Sequence, residues 1–180
     1  MNNFQILYTK IIKQNLLKKF GYKSSYQVPK IEKIVISTAL GLRAEKSSIL
    51  NKEIEDLRTI SGQHPIHTKA KKSISEFGIK KGSIVGLLVT LRREKMYAFL
   101  EKLIKLYLPR IRDFKGLSFK HFDKNANFNL GISDKTIFPE LDYINLTKSG
   151  YTVTIVTRSN SLHENYFLLK EFGFPFNNSP

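Results

Sequence analysis

Apolar residues at helical spacing open the chain. Phe4, Leu7, Ile11 and Leu16 recur on one stripe, and Gly21 follows Phe20 as a stop, which predicts a helix over residues 1–21. Lys10, Lys13 and Lys18 fall on the faces between. Pro29 keeps the next entry extended, and the β-branched run Ile31–Ser37 reads as a strand. Ser47–Ile60 returns to helical period, with Leu50, Ile54 and Leu57 on one stripe and Gly62 as its stop. Two strands are expected near residues 65–69 and 84–93, joined by a polar connection. Met96, Phe99, Leu100, Leu103 and Leu106 form another helical stripe, closed by Pro109. The stretch from Arg110 to Asn127 shows no period and reads as a long basic loop. Phe128, Leu130 and Ile132 alternate with polar residues or Gly, and Tyr151, Val153 and Ile155 alternate with threonines, so both segments are half-buried strands. Ser161 and Glu164 have capping-box spacing and open a last helix to Phe172.

The predicted order is α-β-α-β-β-α-loop-β-β-α. It implies an α+β fold, with an antiparallel β-sheet, helices packed on one face and the other face free for a ligand. A single domain over residues 1–180 is the default at this length. Two basic loops, 70–83 and 110–127, are expected to protrude from it. No internal repeat or low-complexity linker interrupts the chain.

Composition then narrows the partners. The chain has 30 Lys+Arg against 15 Asp+Glu, a formal net charge of +15, and 41% hydrophobic residues, enough for a core. The excess is confined: residues 1–33 hold seven Lys and one Glu, and residues 69–124 hold fifteen basic groups against five acidic ones. A surface charged only for solubility would intersperse its signs, so a nucleic-acid phosphate backbone is the expected counterpart. Absence of Cys excludes a disulfide scaffold, a thiolate zinc site and a Cys nucleophile. No apolar run approaches the roughly 18–20 residues of a membrane span, so no membrane partner is expected. The opening helix is basic and amphipathic but lacks Trp, and a presequence is not expected because the folded pattern starts at once.

Catalytic candidates are weak, and no enzyme, metal or cofactor is expected. His64 and His67 flank Pro65 at a strand entry and point to different faces. Glu53, Glu55 and Asp56 read as a solvated helix face, and Glu140 and Asp142 as turn residues beside Pro139. Binding candidates are stronger. Lys69, Lys71 and Lys72 lie at one end of the 70–83 connection and Lys80 and Lys81 at the other. Pairing of the flanking strands would bring the two clusters together. Phe77 between them is either a core anchor or an exposed apolar tip. Arg92, Arg93, Arg110, Arg112, Lys115 and Lys120 form a second cluster able to face phosphate or a protein carboxylate.

Several blocks carry a resemblance over nearly the whole chain. They are Leu57–Ser73 (LRTISGQHPIHTKAKKS), Gly86–Arg92 (GLLVTLR), Leu108–Leu117 (LPRIRDFKGL), Asn127–Ile132 (NFNLGI), Ile137–Tyr143 (IFPELDY) and Phe172–Phe176 (FGFPF). Together they closely resemble ribosomal protein L5, the large-subunit protein that binds 5S rRNA in the central protuberance. The resemblance implies 5S rRNA contacts at Ser37, Gln63, Thr90 and Arg92, and contacts with large-subunit rRNA and neighbouring large-subunit proteins. It also implies that Lys69, Lys71, Lys72, Phe77, Lys80 and Lys81 approach the P-site tRNA. Arg110, Arg112, Lys115 and Lys120 would help bridge to a protein of the small-subunit head. One departure stands at the end of the first strand. Ser37–Gly41 (STALG) puts a hydroxyl where the family usually has an Asn amide, so a contact there is lost or water-mediated. The alternative is a free-standing RNA chaperone or single-strand binder. Lys outnumbers Arg by 23 to 7, and Asn, Ile and Phe are heavily used. That suits an AT-rich, organelle-encoded protein, mitochondrial before plastid, or an AT-rich bacterial cytoplasm.

Overall fold

A computed structural model describes residues 3–142, 149–159 and 161–177, so Tyr143 of the fifth block lies outside the described residues. Strands β1 (Lys30–Ala39), β2 (Ile66–Lys69), β3 (Ile84–Leu91), β4 (Phe128–Ile132) and β5 (Tyr151–Arg158) form an antiparallel sheet in the order β2-β3-β1-β5-β4. Helices α1 (Asn3–Leu7), α2 (Lys13–Phe20), α3 (Ser47–Ser61), α4 (Arg93–Lys102) and α5 (Leu162–Glu171) complete the α+β class. The strands carry the expected two-residue period. β1 buries Ile34, Ile36 and Thr38, and β3 buries Leu87, Val89 and Leu91, while Val35, Ser37, Leu88 and Thr90 between them stay partly exposed. Packing divides the chain into two compact units: Met1–Ile34, Leu91–Leu130 and Thr154–Pro180 in one, Val35–Thr90 and Gly131–Val153 in the other.

In the first unit the opening helix buries Phe4, Tyr8, Ile12 and Leu16, whereas Ile11 is 52% exposed. This corrects the 4-7-11-16 stripe read from the sequence. A strict four-residue repeat drifts about 40° per step on an ideal α-helix. A π-type turn at Tyr8–Ile12, between α1 and α2, widens the helix and keeps the four on one side. Tyr8 stacks with Phe172 and Tyr97, ring centroids 6.2 and 6.5 Å apart, and its hydroxyl donates to the Pro29 carbonyl at 3.1 Å.

The 110–127 stretch is more ordered than its lack of period suggested. A 3-10 turn at Phe119–His121 is capped by the Ser118 hydroxyl, and the Asp123 carboxylate accepts from the backbone of Asn125 and Asn127. The C-terminal segment pins the middle of the stretch. Leu117 N donates to Pro175 O at 2.9 Å, and Asn177 N donates back to Leu117 O at 2.9 Å. The Phe176 ring lies 4.8 Å from Tyr166, 5.8 Å from Phe128 and 6.1 Å from Phe122. Gly116 has φ +87°, and the Asn177 side chain occupies the space a Cβ would need there.

The second unit is organised around a buried charge. Glu53 on α3 is fully buried and Asp56 is 9% exposed, so neither belongs to the solvated face expected from the sequence. The Lys135 ammonium, itself buried, donates to Glu53 Oε1 at 2.5 Å and lies 3.6 Å from Asp56 Oδ2. The Ser149 hydroxyl also donates to Glu53 Oε1, and the Tyr151 hydroxyl donates to Oε2 at 3.2 Å. Burial raises the Asp56 carboxyl above the usual carboxylate range against the opposing pull of Lys135. Burial and the neighbouring Glu53 charge raise the Tyr151 phenol.

Two outcomes follow from this packing. Lys135→Met strands the Glu53 carboxylate without its cation, so chemical denaturation should show a loss of about 3–5 kcal/mol; a loss under about 1 kcal/mol would mean that the pair is replaceable by packing. Phe176→Ala should raise amide exchange across residues 110–127 well before it lowers the global unfolding midpoint, read by hydrogen exchange with mass spectrometry. Unchanged protection would show that the aromatic cluster is not what orders the loop.

Candidate nucleic-acid interface

The end of α3 places the first polar group. Gly62 terminates the helix in the left-handed region at φ +66° and turns the chain toward β2. The Ser61 hydroxyl lies 2.5 Å from the Leu57 carbonyl oxygen as donor and accepts from Gln63 N at 3.2 Å. Gln63 is thereby half-buried, and its Nε2 donates to the Thr90 carbonyl at 3.3 Å, on β3. The structure thus brings two of the sequence-predicted residues, Gln63 and Thr90, into contact. Ser37 lies on the partly exposed side of β1, while its neighbour Thr38 turns inward and donates to the Gly150 carbonyl at 2.9 Å. Arg92, two residues past Thr90, is exposed and stands 3.8 Å from Glu32, a weak solvent-screened pair.

Beside this set β2 and β3 pair antiparallel, Ile66 opposite Leu88 and Lys69 opposite Ile84, with a register shift at Thr68/Lys69. Gly86 faces Thr68 at a point where a Cβ would run into the Thr38 carbonyl oxygen, so no larger residue fits. The 70–83 connection continues the pairing. Ala70 N donates to Ser83 O at 2.9 Å, Lys81 N donates to the Ser73 hydroxyl at 2.9 Å, and Ile74 and Ile79 exchange backbone hydrogen bonds at 2.8 and 3.1 Å. A 3-10 turn at Ser75–Phe77 and Gly78 at φ +61° close the tip. Lys69, Lys71 and Lys72 therefore run along one leg and Lys80 and Lys81 along the other, all five exposed. Among the described residues none of these five forms an ion pair with Asp or Glu. Phe77, open between two readings in the sequence, is an exposed tip at 58%.

In the first unit Arg110 ends the 3-10 turn Leu108–Arg110, and Arg112, Lys115 and Lys120 follow it, all exposed. Asp113 between them holds φ 52°, in the left-handed region. His64 and His67 are both exposed, and among the described residues no three His, Asp or Glu side chains group as metal ligands. Sequence reasoning missed Leu42, an apolar side chain 51% exposed in the 3-10 turn Gly41–Glu45. It also missed the inward role of Glu53, although Glu53 precedes Leu57 by four residues and Ile60 by seven, on the buried line of α3.

The geometry offers hydrogen-bonding groups on a partly exposed strand face and a separate row of cations on a paired hairpin. Comparison with known proteins gives it a context. The family described as "Ribosomal protein L5" matches residues 24–80, and the C-terminal region of the same ribosomal family matches residues 84–176. "Large ribosomal subunit protein uL5c" of Gracilaria tenuistipitata var. liui is 48% identical over 176 residues, 97% of this chain and 98% of that protein. "Large ribosomal subunit protein uL5" of Geobacter sulfurreducens is 48% identical over 177 residues, covering 98% and 99%. The protein of the same name in Malacoplasma penetrans is 48% identical over 170 residues, covering 94% and 91%. With both halves matched and relatives aligned almost end to end, the chain belongs to the ribosomal protein L5 family.

Proposed function

We propose that the chain is a structural, non-catalytic constituent of the large ribosomal subunit. It binds 5S rRNA through Ser37, Gln63, Thr90 and Arg92, and touches large-subunit rRNA and neighbouring large-subunit proteins. The observation that carries this reading is Gln63, whose backbone N–H donates to the Ser61 hydroxyl and whose side-chain amide donates to the Thr90 carbonyl on a partly exposed face, in a chain whose relatives are named large-subunit proteins. An amide fixed by one hydrogen bond through its nitrogen keeps its oxygen as a further acceptor, which suits the base edges and 2′-hydroxyls of an RNA groove. Lys69, Lys71, Lys72, Lys80 and Lys81 hold phosphates of P-site tRNA or rRNA, and the paired legs of the hairpin support that row. Arg110, Arg112, Lys115 and Lys120 face a small-subunit head protein, where guanidiniums meet carboxylates in bidentate pairs. The Lys-rich, AT-favoured composition supports an organelle-encoded copy, mitochondrial before plastid, or an AT-rich bacterial one; the similar proteins are plastid and bacterial.

Gln63→Ala should weaken binding to 5S rRNA by roughly 1–3 kcal/mol while leaving binding to an unrelated RNA of equal length unchanged. Equal loss for both RNAs in a salt titration would favour the chaperone reading. Replacing Lys71, Lys72, Lys80 and Lys81 with Ala should lower the salt slope of P-site tRNA binding to reconstituted ribosomes by about three and spare 5S rRNA binding. Parallel loss of both would contradict the division between strand face and hairpin.

A further inference from the structure

The hairpin carries apolar surface that phosphate binding does not use. Phe77 is 58% exposed, Ile74 44% and Leu42 51%. The Leu42 methyl carbons lie 3.5 and 3.7 Å from the point a Cβ on Gly78 would occupy, so the Gly41–Glu45 turn rests against the hairpin tip. Turn and tip together wall a cleft of about 730 Å3, lined by Leu40, Leu42, Arg43, Glu76, Phe77 and Ile79. A cleft of this size and character accommodates a small, flat, largely apolar group. The Ile74–Ile79 bridge places Lys72, Lys80 and Lys81 within two residues of its ends.

We propose that this cleft seats one unpaired nucleobase of a structured RNA loop. Phe77 supplies the stacking face and Leu42 the opposite wall. Glu76 accepts from an exocyclic amino group of the base, and Lys72, Lys80 and Lys81 take the flanking phosphates. Charge complementarity decides the occupant. An acidic peptide would satisfy the lysines but meet Glu76 with repulsion, whereas a nucleotide joins a flat apolar face to an anion within one residue. The inference rests on the RNA-binding reading of the hairpin and extends it from phosphates to a base.

The test uses the full chain and a labelled RNA hairpin, compared with the same hairpin whose loop nucleotides are abasic. The unaltered chain should prefer the base-bearing loop by about five- to a hundredfold, the range that base–aromatic stacking spans. Phe77→Ala should abolish that preference with its salt dependence intact, Phe77→Tyr should keep it, and Leu42→Ala should reduce it. Because Phe77 and Leu42 are exposed, these changes leave the core in place. Equal binding to both loops by the unaltered chain, with steep salt dependence, overturns the nucleobase seat and leaves phosphate binding standing. Absence of binding to either loop overturns the RNA reading of the hairpin as well.

Discussion

Burying Lys135 is the constraint on which the second unit turns. Among the described residues it is the one buried lysine, and an ammonium removed from water must find an anion close by. Glu53 meets it from α3, and Ser149 and Tyr151 take the remaining lone pairs of the same carboxylate. Two segments far along the chain from α3, one at Lys135 and one at Ser149 and Tyr151, are thereby tied to that helix. The register of that helix then fixes its end, where Gly62 turns the chain and Ser61 holds Gln63 against Thr90. The polar group proposed to meet RNA is thus positioned by a charge pair that does not touch it. Asp56, the second carboxylate, makes the buried cluster net negative when ionised; burial first, and the Glu53 charge with it, raises its pKa.

Elsewhere the chain keeps its cations out. The five lysines of the hairpin reach solvent and are unpaired with carboxylates among the described residues, although like charges in a row repel. What offsets the repulsion locally is backbone: the Ala70–Ser83 and Ile74–Ile79 hydrogen bonds hold the legs in pairing that the side chains alone would disfavour. The second basic stretch is held differently, by the Phe176 ring and by backbone exchange between Leu117 and the C-terminal segment. In both cases the concentration of charge is offset by neutral interactions of backbone and aromatic rings.

Signals that are local were legible in the sequence. The two-residue period placed β1, β3 and β5, Gly21 and Gly62 marked helix ends in the left-handed region, and Ser161 caps α5 by accepting from Glu164 N. The lysine clusters were legible because charge needs no partner to be counted. Features decided across distance were not. Glu53 reads as polar and therefore solvated until Lys135, 82 residues away, is placed beside it. The 4-8-12-16 face needed a widened turn that no propensity announces. The ordering of 110–127 comes from residues 174–177, and the exposure of Leu42 depends on a hairpin tip thirty-six residues further on. The Gln63–Thr90 pair was visible through family resemblance alone; spacing gave no reason to join residues 27 apart.

The separation of strand face from hairpin has a physical logic of its own. Phosphate contacts supply affinity that scales with the number of cations and carries no sequence information. Discrimination needs groups held so firmly that a mismatched partner cannot be accommodated by moving them, and in the proposed reading the hydrogen bonds from Gln63 to Ser61 and Thr90 serve that end. Placing both duties on one surface would set them in conflict, since lysine side chains are mobile and strongly hydrated. A rigid amide on the strand face and a cation row on a hairpin resolve the conflict by distance along the same β2–β3 pair.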